Sequence, residues 1–126
     1  MLRFNHINIR TSKVAQTIDF YGKILNTKLG NRPSFPFPGA WLYSGSDPII
    51  HIVETDNNAS RPEMNTSLHH VAFEGENADE MILKLEKSNI SYHKAVVPDS
   101  KEIQIFIKDP NGITIEIIFY NKGVDV

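Results

Sequence analysis

LYSGSDPIIH, residues 42–51, and IKDPNGITIE, residues 107–116, are hairpins of matching length. The first joins strands at Trp41–Ser44 and Ile49–Glu54 through Gly45, Ser46, Asp47 and Pro48. The second joins Glu102–Lys108 to Ile113–Tyr120 through Asp109, Pro110, Asn111 and Gly112. Both turns use the residues that break regular structure, between strands of alternating polarity. Leu42 to His51 and Ile107 to Glu116 are each nine residues apart. Two distant segments matching so closely signal an internal repeat.

Working outward extends the repeat. Phe4–Arg10 alternates, with Ile7 and Ile9 on one face and His6, Asn8 and Arg10 on the other, as a half-buried strand does. Ser12 is placed to cap a helix with apolar positions Val14, Ile18, Tyr21 and Leu25, and Asn26 to end it in the left-handed conformation. Prolines 33, 36 and 38 exclude helix and central strand from Asn31–Ala40. After a polar stretch the pattern returns. Leu68–Glu74 is a strand, Asn77 caps a helix burying Ala78, Met81, Ile82 and Leu85, and Ile90–Val97 is extended. Each half reads as strand, helix, then about three strands. Module one covers about 1–56, a polar linker about 57–66 and module two about 67–122.

The repeat also selects candidate ligands. His6 and His70 occupy the same place in the first strand of each half, 64 residues apart. His51 and Glu116 share a place in the last strand, 65 apart. Alternation puts all four opposite the aliphatic stripe; around Glu116, Ile113, Ile115, Ile117 and Phe119 face the core. His, Asp and Glu total 20 of 126 residues, so four chosen positions would all qualify by chance with probability about 0.0006, the fourth power of that fraction. Two halves related by a pseudo-twofold axis would bring these N and O donors together as a divalent metal site.

Composition narrows the classes. The chain has 126 residues, one domain's worth, with 13 Lys and Arg, 15 Asp and Glu, and no Cys. Disulfides, thiolate zinc sites and cysteine nucleophiles are excluded. Basic residues are scattered, which argues against nucleic acid, and no apolar run approaches the roughly 20 residues that span a bilayer. The opening MLRFNHINIR does not read as a signal peptide, so a cytoplasmic location is expected.

The segments HINIR (6–10), DFYGKIL (19–25), PGAWLYSG (38–45), IIHIVE (49–54), HHVAFE (69–74) and DPNGITIEI (109–117) resemble the vicinal oxygen chelate superfamily. That superfamily includes glyoxalase I, extradiol dioxygenases, fosfomycin-resistance enzymes and bleomycin-binding proteins. The resemblance implies one α+β domain over 1–126, two βαβββ modules whose curved mixed sheet forms a cup around a metal site. Family ligands fall on His6, His51, His70 and Glu116. A single divalent ion (Zn, Ni, Co, Mn or Fe(II)) is implied, with two open positions for vicinal substrate oxygens and Lewis-acid stabilisation of an enediolate. His69 falls on the other face and reads as structural.

Departures rank the members. Glyoxalase I resembles the chain in having Arg at Arg10, which would meet a substrate carboxylate, but normally has Glu where His51 stands. Glu116 is then the catalytic base. Extradiol dioxygenases usually carry Tyr at Phe106 and a catalytic His at Thr55. A fosfomycin-type potassium loop is absent, and bleomycin-binding members generally lack metal ligands. The expectation is a glyoxalase I-type isomerase or lyase acting on a small molecule. Alternatives are a ring-cleaving dioxygenase or a binding and resistance protein. Phe35, Phe37 and Trp41 are candidate walls of the substrate site, or a structural arm or dimer contact, since stiff aromatic loops line pockets. The expected assembly is a homodimer.

Overall fold

The computed structural model describes residues 4–56, 68–98 and 100–120. The chain divides into two compact units, Met1–Met64 and Asn65–Val126. The expected linker at 57–66 lies outside the described residues. In unit one, β1 (Ile7–Thr11), α1 (Val14–Leu25), β2 (Lys28–Gly30), β3 (Gly39–Ser44) and β4 (Asp47–Glu54) follow one another. Unit two repeats the order with β5 (Val71–Gly75), α2 (Ala78–Lys87), β6 (His93–Val96), β7 (Ile103–Lys108) and β8 (Thr114–Phe119). The sheets run β1-β4-β3-β2 and β5-β8-β7-β6, each with its first and last strands parallel and the rest antiparallel. This is the expected α+β pattern of two βαβββ modules.

Burial follows strand alternation. In unit one, Ile9, Ala40, Leu42, Ile50 and Ile52 lie within the core, and α1 packs against β2, β3 and β4. In unit two, Ile105, Ile107, Ile115, Ile117 and Phe119 do the same work, with Leu85 of α2 also fully buried. Ala78, Met81 and Ile82, expected beside Leu85, are only half-buried.

Helix α1 departs from the expected details. Ser12 does not cap it; Lys13 stands at the N-cap without a side-chain cap bond. Thr11 Oγ1 instead accepts the Lys13 N–H at 2.8 Å, and Thr17 Oγ1 donates to the Lys13 carbonyl at 2.7 Å. Those local bonds let both threonines be buried. The buried stripe is consequently Thr17, Phe20, Tyr21 and Ile24, one position away from much of the expected set; Val14, Ile18 and Leu25 are half-buried. Asn26 does end the helix at φ 60°, and Asn77 does cap α2, accepting the Glu80 N–H at 3.0 Å.

The two hairpins reach one register by different routes. β3 and β4 meet at Ser44↔Asp47, with Gly45 at φ 62° and a bulge between Leu42 and Tyr43. β7 and β8 meet at Lys108↔Thr114, across a loop where Asp109 Oδ1 accepts the N–H groups of Asn111 and Ile113, both at 2.8 Å. Gly112 there has φ 86°. The bulge offsets the tighter first turn, so Trp41 pairs with His51 as Phe106 pairs with Glu116.

Gly39, which pairs with Val53, has no room for a side chain: an added Cβ would collide with the Ile52 carbonyl oxygen. Gly39→Ala should therefore destabilise the protein by about 1–3 kcal/mol, read as a lower urea midpoint. An unchanged midpoint would show that β3 shifts at no cost.

Candidate metal centre

In unit one the parallel pairing of β1 with β4 puts Asn8 beside His51, and the antiparallel pairing of β3 puts Trp41 on its other side. Opposed residues of a sheet share a face, so Asn8, Arg10, His51 and Trp41 all stand opposite the core. His6, just before β1, completes the group. Its ring stacks on His51 with centroids 3.8 Å apart and planes 12° from parallel. Trp41 stacks on His51 at 3.9 Å and 10°. His51 is thus held between two rings.

Both imidazoles have one nitrogen engaged. Asn5 Oδ1 accepts from His6 Nδ1 at 2.6 Å, and the Pro48 carbonyl accepts from His51 Nε2 at 3.0 Å. Each ring then keeps its second nitrogen as a lone-pair donor, His6 at Nε2 and His51 at Nδ1. Metal-binding histidines characteristically donate their other N–H to such a partner. Burial, and next the charge of neighbouring His6, lower the His51 pKa from 6.5, against a smaller upward pull from the Pro48 carbonyl.

In unit two His70 Nε2 lies 3.0 Å from Glu116 Oε1. An imidazole nitrogen and a carboxylate oxygen side by side are both donors that a divalent cation would accept. Glu116 faces away from the aliphatic core as alternation requires, yet it is only 6% exposed. Gln104 explains this: its Nε2 donates to Glu116 Oε2 at 3.0 Å. Phe106 stands edge-on to His70 at 6.1 Å, and His93 lies 6.2 Å beyond Phe106.

The structure thus assembles the proposed ligands pairwise, His6 with His51 and His70 with Glu116. Among the described residues no group of three or more His, Cys, Asp or Glu gathers to hold one ion. Arg10 is exposed on β1, two residues along from Asn8. Phe35 and Phe37, each 41% exposed, stack on one another at 5.1 Å. Arg32 lies over both rings at 5.2 and 5.3 Å and donates to the Phe37 carbonyl at 3.0 Å. Phe35 is 6.4 Å from Trp41, so the aromatic surface continues to the His51 stack.

The sequence reading missed the role of Gln104 and misplaced His69. Gln104 was legible, being the polar residue two places before Phe106 on the same face of a strand whose other face is isoleucine. His69 corrects an expectation: instead of facing away, its Nδ1 meets His70 Nδ1 at 2.9 Å. Both residues precede β5, where strand alternation does not yet apply.

The sequence profile of the Glyoxalase/Bleomycin resistance protein/Dioxygenase superfamily matches residues 3–117. The chain belongs to that superfamily. Its relatives in the superfamily include glyoxylase I 4 of Arabidopsis thaliana, 32% identical over 119 residues that cover 90% of this chain and 68% of that one. Lactoylglutathione lyase of Escherichia coli O157:H7 is 27% identical over 124 residues, covering 93% and 92%. Among solved structures, a glyoxalase family protein from Enterococcus faecalis has a TM-score of 0.70 at 25% identity, covering 92% of this chain and 96% of its own. A superfamily domain from Frankia sp. EAN1pec reaches 0.78 at 18% identity over 98% and 95%, which shows the fold alone. Among the described residues no helix is long and apolar enough to cross a membrane.

The depressed His51 pKa has a defined consequence for metal-free protein. Below pH 6.5 the unfolded chain takes up a proton at this residue before the folded chain does. Stability should therefore fall as the pH drops through 6.5 and level off below the lowered folded value. Urea unfolding followed by Trp41 emission at several pH values measures this, and His51→Asn should flatten the dependence. An unchanged slope in that variant would refute the assignment.

Proposed function

We propose that the chain is a divalent-metal-dependent isomerase or lyase of the glyoxalase I type, acting on a small substrate with vicinal oxygens. The observation that carries this reading is the pair of donors at equivalent places in each half, with His6 and His51 each hydrogen-bonded at the nitrogen a metal would not use. The names of its relatives, lactoylglutathione lyase above all, point the same way.

His6, His51, His70 and Glu116 would hold the ion, and three imidazoles with one carboxylate suit Zn, Ni, Co, Mn or Fe(II). The bound ion would supply Lewis acidity toward two adjacent substrate oxygens. Glu116 is the one carboxylate of the set and serves as the base that takes a proton from carbon next to a carbonyl. Its two oxygens are oriented separately, Oε1 by His70 and Oε2 by Gln104. Arg10 reads a carboxylate remote from the reacting oxygens, its fork matched to that group. Phe35, Phe37 and Trp41 supply an apolar wall. A homodimer completes the reading; a monomer by light scattering would remove that part.

Trp41 is the chain's single tryptophan and touches His51, which makes binding directly visible. Added Ni²⁺ or Co²⁺ should quench its emission while Zn²⁺ does not, and His51→Ala should abolish the effect. Metal analysis of untagged protein finding no divalent ion, together with no quenching, would overturn the metal reading. A panel of dialdehyde with and without glutathione, catechol and fosfomycin then separates lyase, dioxygenase and resistance activities.

Two variants test the assigned roles. Glu116→Gln should lower kcat by about 10²–10⁴. Arg10→Ala should lower kcat/KM about 10- to 150-fold for a carboxylate-bearing substrate, the loss of one charge-assisted hydrogen bond, with metal content unchanged. Equal losses with an uncharged analogue would assign Arg10 to the fold instead.

A further inference from the structure

The residue before His6 and the residue before His70 each meet that histidine's Nδ1. Asn5 and His69 are 64 residues apart, the interval separating His6 from His70. Asn5 Oδ1 lies 2.6 Å from His6 Nδ1, and His69 Nδ1 lies 2.9 Å from His70 Nδ1. The residue types differ, but a hydrogen-bonding atom occupies an equivalent place, because the amide group of Asn sits about where Nδ1 of His does.

We propose that Asn5 and His69 are positioning residues that select the ring nitrogen with which His6 and His70 bind a cation. This rests on the metal reading given above. At Asn5 the direction is fixed by chemistry, since an amide oxygen only accepts: His6 carries its proton on Nδ1 and offers Nε2. At His70 the nitrogen facing Glu116 Oε1 is again Nε2. For that lone pair to serve a cation, the ring proton must reside on Nδ1, where His69 accepts it.

His69 also suits the metal-free state. His70 Nε2 faces the Glu116 carboxylate, and the His69–His70 contact can run in either direction, since each Nδ1 donates or accepts according to its tautomer. A cation held at Nε2 would need the His70 proton on Nδ1 with His69 accepting it. The proton lost from Nε2 would go to solvent and His69 Nε2 would take one from water, so the contact would survive in reversed direction. His69 is exposed, which gives solvent access for the exchange. His6 has Asn5 instead, and its ring faces His51 rather than a carboxylate.

Zinc affinity of the full chain, measured by competition with a chromophoric chelator, tests this. His69→Leu and Asn5→Leu should each weaken binding about 10- to 100-fold, whereas His69→Asn should stay within about threefold of the parent. Long-range ¹H–¹⁵N spectra of the zinc-loaded parent should show His6 and His70 protonated at Nδ1, a readout independent of how the variants fold. Leucine variants that bind like the parent while His70→Ala loses zinc would overturn the positioning role alone. So would a His70 proton found on Nε2 in the zinc-loaded protein. If His70→Ala binds zinc as tightly as the parent, the metal reading falls and this inference with it.

Discussion

Each half of this chain depends on the parallel pairing of its first strand with its last. Ile7↔Ile50 and Ile9↔Ile52 bring two isoleucine pairs onto the core side, and the intervening partners Asn8↔His51 then face the other way. In the second half Val71↔Ile115 and Phe73↔Ile117 do the same around Ala72↔Glu116. A slip of one residue would bury His51 or Glu116 among aliphatic side chains and expose the isoleucines. Because Ile50, Ile52, Ile115 and Ile117 are at most 1% exposed, the core resists that slip, and the places of His51 and Glu116 are fixed with it. The bulge at Leu42/Tyr43 belongs to the same constraint. A tight turn needs a compensating irregularity if Trp41 is to stay opposite His51.

What could be read from the sequence follows the same physics. Period-two alternation and the repeat interval are properties of short segments, so the hairpins, the facing of His51 and Glu116 and most strands were legible before any coordinates. The three-residue β2 was not placed, and β1 and β5 begin about three residues later than expected. Terminations decided by one residue's local chemistry were legible too, as at Asn26 and Asn77. The misreadings came where a polar side chain satisfies itself locally. Thr11 and Thr17 bond to the backbone around Lys13 and are buried like apolar residues, which turned the expected face of α1. The His69–His70 contact was hidden because alternation was carried back into residues that precede β5.

The repeat holds position while chemistry diverges between the halves. Trp41 corresponds to Phe106, His51 to Glu116, Gly39 to Gln104 and Arg10 to Glu74. The first half pairs two imidazoles that repel one another when protonated, and that repulsion adds to burial in keeping His51 neutral. The second half pairs an imidazole with a carboxylate, which attract. On the proposed reading the first half supplies neutral donors and the second supplies the negative charge. Three neutral imidazoles and one carboxylate would leave about one positive charge on a divalent ion, favouring an anionic substrate, and Arg10 would extend that preference along β1.

On the proposed reading, His51 standing where glyoxalase I normally has Glu would leave the acid–base burden to Glu116. The two oxygens of Glu116 have different partners. Oε1 faces His70 Nε2, while Oε2 is held by the amide of Gln104, a neutral donor. A neutral donor orients the second oxygen without placing beside it the full positive charge of an Arg or Lys. The same position in the first half is Gly39, where the Ile52 carbonyl leaves no room for a side chain and His51 has no second oxygen to orient. The amide is present in the half that has a carboxylate and absent from the half that has none, so Gln104 answers the buried carboxylate of Glu116.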